Sequence, residues 1–195
     1  MAEVTSPTVE PRDEDHDARR EHVREAAIAE APKHRRLIRT SRHGRILSAM
    51  MLPLVLVSPG SAYGVITTTG RKTGKPRRKC VRMVRRGSKV FLVQLRPPEL
   101  AIARPSAVSA WVLNIRSNPN VTVRIRGGTF TGVARDLTDP AELAEAREAL
   151  VETVSLNDYG ECSLHLHGLP TRAKIKELHR YWLDTGVPLV IDLNA

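Results

Sequence analysis

Five cations are packed into one short stretch of the chain. Thr67 to Arg78 reads TTTGRKTGKPRR, and it carries Arg71, Lys72, Lys75, Arg77 and Arg78 around Gly70, Gly74 and Pro76. Glycine admits positive φ and proline stiffens the exit, so the stretch reads as a turn. A cation-loaded loop at the end of a strand suits an anionic, phosphorylated ligand. The same residues also fit a solvated basic turn. The nucleotide-phosphate loop pattern fails here: its first Gly and its Ser/Thr would fall on Thr69 and Pro76, and no helix follows.

Other chemistry-bearing residues are sparse. Trp111 and Asn114 lie three apart, on one face of a short helix, where an indole and a carboxamide could stack on a ring and hydrogen-bond it. Taken alone, they are read first as a core Trp and a near-cap Asn before Ser117-Asn118-Pro119. His165 and His167, two apart in an alternating segment, share one face of a strand and have Glu161 nearby. A catalytic zinc site needs a third ligand and an open position, and neither HExxH nor CxxC accompanies them, so no metal is expected. There is no Gly-x-Ser-x-Gly elbow, and Cys80 and Cys162 read as reduced thiols. No catalytic residue is assigned.

The elements that must position these groups follow from periodicity. Residues 1–17 are polar and disordered by composition, and 18–30 are helical. Residues 34–45 are basic, and Ile46–Val57 is apolar, helical to about Met51, with Pro53 as a break. That run reads first as core; contact of 34–57 with a membrane surface is the alternative. Ser58 to Ser61 is a turn. Tyr63–Thr69, Lys79–Arg86 and Val90–Leu95 form an antiparallel meander. Arg96–Ser106 is a proline-rich loop and Ala107–Arg116 a helix. Val121–Ile125 and Thr129–Ala134 flank a glycine hairpin. Asp139 caps a helix to about Val154, Asn157–Gly160 is a turn, and Cys162–His167 is a strand. Residues 170–185 are helical and 188–193 a last strand. Six or seven short antiparallel strands with inserted helices make a mainly β (α+β) barrel. The division is a tail, 1–44, and a domain, 45–195.

Charge sharpens the ligand class. The net charge is +10, but residues 46–126 hold 15 Lys/Arg against one acid, Glu99. Such a field draws polyanions. Only 4% of residues are aromatic and no recognition-helix motif is present, which argues against specific nucleic-acid binding. The acidic N-terminus lacks a secretory leader pattern, so the expected location is cytoplasmic, with membrane association as the variant.

Two motifs in order, Thr67–Arg77 and Trp111-x-x-Asn114-Ile115-Arg116-Ser117-Asn118-Pro119, followed by Val121-Thr122-Val123 and Gly127-Gly128, resemble the deazaflavin-dependent nitroreductase family, which includes quinone reductases. The family patterns are TTTGRKSGKPR, W-x-x-N-L-x-A-N-P, V-x-V and G-G. The resemblance implies a flavin-reductase-like split β-barrel that binds coenzyme F420, with FMN as the alternative cofactor. It implies that Arg71, Lys72, Gly74 and Arg77 hold the anionic tail, and that Trp111 and Asn114 line the cofactor site. Arg96 stands in for the family's Lys, with Pro97-Pro98 where the family has Gly-Gly. The implied activity is hydride transfer from reduced F420 to a small electron-poor acceptor: a quinone, a nitro compound or an enone. The alternative is a carrier of F420, FMN or haem without turnover. A homodimer is also implied, and residues 158–194 continue past the usual family end.

Overall fold

The computed structural model describes residues 11–37, 41–57 and 60–194. The expected disorder of residues 1–10 and the turn at Ser58-Pro59 lie outside them. In chain order the elements are α1 (Pro11–Glu30), α2 (Ser41–Val57), β1 (Tyr63–Thr69), β2 (Pro76–Arg86), β3 (Lys89–Gln94), α3 (Pro98–Ala103), α4 (Ala110–Ser117), β4 (Asn120–Ile125), β5 (Gly128–Asp136), α5 (Pro140–Glu152), α6 (Leu156–His165), α7 (Arg172–Thr185) and β6 (Val187–Leu193). The six strands close in the order β1-β2-β3-β6-β5-β4, all antiparallel. This is the expected split-barrel architecture.

Strand alternation divides the apolar side chains into two cores. Ile66, Met83, Leu92, Val123, Leu189 and Ile191 point into the barrel, where α4 adds Trp111, Val112 and Ile115. Their strand neighbours Val65, Val84, Phe91 and Val190 point outward, under a helical layer that supplies Val23, Leu150, Leu178 and Trp182. β3 is therefore buried on both faces, and its sequence Val90–Val93 is unbroken apolar. β4 and β5 bury only one face and alternate clearly.

The covered half is fastened by a polar knot. Arg82 on β2 donates to Asp158 Oδ1 on α6 at 2.5 Å, to the carbonyls of Leu150 and Thr153 at 3.0 and 2.6 Å, and to His179 Nδ1 on α7 at 3.2 Å. Tyr63 OH donates to the same Asp158 oxygen at 2.9 Å. Burial works against the Asp158 carboxylate, but His179, the Arg82 charge and the Ser155 amide outweigh it and hold its pKa below the usual range. Burial also pulls Arg82 down to about 10, still well above neutrality.

Several expectations are corrected. The first helix starts at Pro11, not residue 18. α2 runs through Pro53 to Val57. Arg96–Ser106 is not all loop, because Pro98 takes the first position of α3 with Glu99 in its first turn. Cys162–His167 is not a strand, nor is Asn157–Gly160 a turn. Asp158 Oδ2 accepts from Ser155 N at 2.5 Å and from Ser155 Oγ at 2.9 Å, which makes Ser155 the cap of α6. His165 therefore ends a helix, buried 5.3 Å from the Trp182 ring, while His167 is exposed beyond it. The two histidines do not share a strand face. The start of the basic stretch is also engaged: His34 is buried and bridges to Leu166, and Arg35 N donates to His165 O at 2.7 Å.

Candidate functional site

β1 and β2 are joined by a loop whose base is the Thr69–Pro76 pair. The loop is hydrogen-bonded to itself. Gly70 N donates to Lys75 O at 2.9 Å, and Thr73 N and Gly74 N donate to Gly70 O at 3.0 and 2.7 Å. Thr73 Oγ1 accepts from Lys75 N and Arg77 Nη2, both at 3.4 Å. A Cβ at Gly70 would stand 3.1 Å from Lys75 O, and Gly74 sits at φ +66, in the left-handed region. These two glycines fix the tight path that spreads the cations outward.

Asn114 ties this loop to α4. Its Oδ1 accepts from Arg71 N at 3.2 Å, and its Nδ2 donates to Thr68 Oγ1 at 3.2 Å. Both ends of the buried carboxamide are engaged, so Asn114 holds the backbone amide of Arg71 in place. Trp111, three residues earlier, is 7% exposed and packs with Val112 and Ile115 in the barrel interior. The structure thus brings together Arg71, Lys72, Gly74, Arg77 and Asn114, and it places Trp111 in the barrel core.

Arg96 has another task. It is 4% exposed, and its guanidinium donates to Ala107 O at 3.1 Å, to Thr185 O at 2.8 Å and to Pro105 O. Burial lowers its pKa to about 10. Three carbonyls hold the charge that sequence reasoning assigned to the ligand. Arg96 organises the segment after α3 and the end of α7.

Several cations elsewhere in the molecule are neutralised. Lys89, Arg135, Arg147, Lys176, Arg116 and Arg82 all pair with carboxylates. Among the described residues, Arg71, Lys72, Lys75, Arg77 and Arg78 are exposed and make no ion pair. Beside them opens a groove of about 410 Å³. Sequence reasoning missed it. Strand register aligns Arg78, Thr67, Thr122 and Thr131 in one outward row, and Asn194 donates to Thr131 Oγ1 at 3.0 Å to extend it. The alternation Thr67/Thr69 and Thr129/Thr131 was the available signal; only the barrel closure joins the strands into a wall.

A family model for F420H(2)-dependent quinone reductases matches residues 49–163, from α2 to the end of the loop-and-α4 site and on into α6. The chain belongs to the F420H(2)-dependent quinone reductase family. It is an F420-dependent reductase, and its cofactor is coenzyme F420. Two similar solved structures are an F420-H2 dependent reductase (FDR-A) and a domain-swapped dimer. The first is 19% identical over 67% of this chain and 93% of that one, with a TM-score of 0.43. The second is 21% identical over 77% and 93%, with a TM-score of 0.46. The residues present fit the anionic end of such a cofactor: five exposed cations on the β1–β2 loop and the start of β2 stand beside a hydroxyl-lined groove.

Proposed function

We propose that the protein reduces a quinone-type acceptor with reduced F420, and that Arg71, Lys72 and Arg77 bind the cofactor's acidic tail. The observation that carries this reading is the cluster of five exposed cations without carboxylate partners among the described residues, set around a tightly hydrogen-bonded loop whose Arg71 amide is held by Asn114. Charge-assisted bonds to such a tail contribute about 1.5–3 kcal/mol each. When bound, the cofactor supplies a hydride and a proton, so that a quinone leaves as its hydroquinone. The chain's own residues bind and orient. Asn114 fixes Arg71, Gly70 and Gly74 fix the loop, and the threonine row offers hydroxyls to the part of the ligand between tail and ring. Trp111 backs this wall from the barrel interior. Nitro compounds and enones share the electron-poor character of a quinone and are the acceptors to compare with it. We assign a homodimer as the working assembly, to be read by light scattering.

The test is oxidation of reduced F420 by the purified full chain with menadione as acceptor. Recovery of oxidised F420 absorbance in proportion to protein is the expected result. Tight F420 binding without turnover for any acceptor class would replace the reductase assignment with a carrier. Binding of FMN in place of F420 would overturn the cofactor placement.

A further inference from the structure

From Ile46 to Val57 helix α2 is apolar except for Ser48, but only one of its faces is covered. Its inner face carries Val55, 1% exposed, with Leu52 and Leu56 against the outer core. Ser48 pins this face to β2: its Oγ accepts from Cys80 N at 3.1 Å and donates to Cys80 O at 3.2 Å. The opposite face holds Ile46, Met50 and Val57, at 51%, 72% and 82% exposure, with exposed Ala49 and Pro53 between them. At helical spacing these five positions fall within an arc of about 100° and span about 16 Å. An open, contiguous apolar face of this kind marks a contact surface.

The charge around the face selects the partner. Exposed Arg42 lies on the same arc, one turn before Ile46. Arg78 is exposed on β2, two residues from the Ser48 anchor at Cys80 and on the same strand face. From Ala31 to Pro98 the chain has 17 Lys/Arg and no Asp or Glu. A second copy of the chain would set its own Arg42 and Arg78 against these two, and like charges would oppose the contact. An anionic lipid surface supplies both the missing negative charge and an apolar layer to receive Ile46, Met50 and Val57. Among the described residues no helix is long and apolar enough to cross a membrane. The geometry is that of a helix lying in the interface plane.

We infer that α2 is a membrane-docking element, seating Ile46, Met50, Pro53 and Val57 in an anionic bilayer surface with Arg42 and Arg78 at the headgroups. The docking is peripheral and reversible. Each cation near an anionic surface raises partitioning about fivefold, and this part weakens with salt. A reductase held there would meet a lipid-dissolved acceptor at its own depth, although the docking itself does not depend on the cofactor reading.

The test is flotation of the full chain, without F420, on vesicles of phosphatidylglycerol and phosphatidylcholine, and on vesicles of phosphatidylcholine alone. The expected result is binding to the anionic vesicles and on the order of tenfold less to the neutral ones. The triple variant Ile46→Ser/Met50→Ser/Val57→Ser should lose anionic-vesicle binding by about tenfold or more. A control, Leu156→Ser/Leu169→Ser, changes exposed leucines elsewhere, at 89% and 82%, and should float like the wild type. Thermal unfolding of both variants should match the wild type, because all five side chains are exposed. Failure of the wild type to float with anionic vesicles overturns the inference, as does a triple variant that floats equally well. A triple variant that instead shifts from dimer to monomer in light scattering, with no vesicle binding by the wild type, assigns the face to a second copy. None of these outcomes alters the F420 titration.

Discussion

The two halves of the barrel treat charge in opposite ways. On the outer faces of β2, β3 and β6, under the helical layer, cations are matched. Arg82 is 2% exposed and meets Asp158, His179 and two carbonyls, and Arg96 meets three carbonyls. At the open end of β1 and β2 the loop cations are exposed and have no carboxylate among the described residues. Burying an unpaired charge costs several kcal/mol, so the covered half supplies partners for Arg82 and Arg96 from within the protein. The open half has no such requirement, and it leaves charge for something that arrives. Placement, more than residue type, separates a structural arginine from a binding one.

This contrast can be broken from the covered side first. Arg82→Met leaves Asp158 buried beside Tyr63 and His179 without its main cation. Denaturant unfolding should show a loss of about 3–5 kcal/mol. Removing an exposed pair such as Arg116–Asp136, at 42% and 36% exposure, should cost no more than about 1 kcal/mol. Equal losses at the two sites would erase the distinction.

The covered half should also respond to acid. Burial first, and then their mutual proximity, push the imidazole of His165 down to about 4; burial likewise takes His34 to about 4. Between pH 6.5 and 4 the unfolded chain then binds protons that the folded one does not. Stability is therefore complete above about pH 6.5 and falls as the pH drops towards 4, by up to about 1.4 kcal/mol per pH unit for each histidine. Unfolding midpoints across this range should fall less steeply for His165→Gln than for the wild type. An unchanged slope would show that His165 is protonated in the fold.

A smaller effect is expected at the hinge between the halves. Asn114→Ala removes the bonds to Arg71 N and Thr68 Oγ1 and should cost about 1–2 kcal/mol in unfolding. F420 affinity should weaken as the loop loses its tether, with about a tenfold rise in Kd. A stability loss with unchanged Kd would make Asn114 a packing residue only.

The barrel was largely readable from the sequence because strand alternation and hairpin glycines are local signals. The inner and outer cores follow from Ile66 against Val65, or Leu92 against Phe91. The basic loop was readable because glycine, proline and charge coincide there. α6 was not, because its alternating apolar pattern mimics a strand and its capping pair, Ser155 and Asp158, was passed over. Asp158 is also held by Arg82, 76 residues away, a contact no local pattern contains. The burial of Arg96 was not readable for the same reason: its partners Pro105, Ala107 and Thr185 are backbone carbonyls, which leave no mark on residue types. The threonine groove needs four strands in register, so it appears only when the barrel closes.

The central claim is that the loop cations bind F420, and its most direct measurement is F420 titration of Arg71→Ala/Lys72→Ala beside the wild type. Both side chains are exposed, so unfolding should be unchanged. With two charge-assisted contacts gone, Kd should rise about a hundredfold or more, and the wild type's own affinity should fall with salt. A double variant that binds F420 as tightly as the wild type would contradict the account.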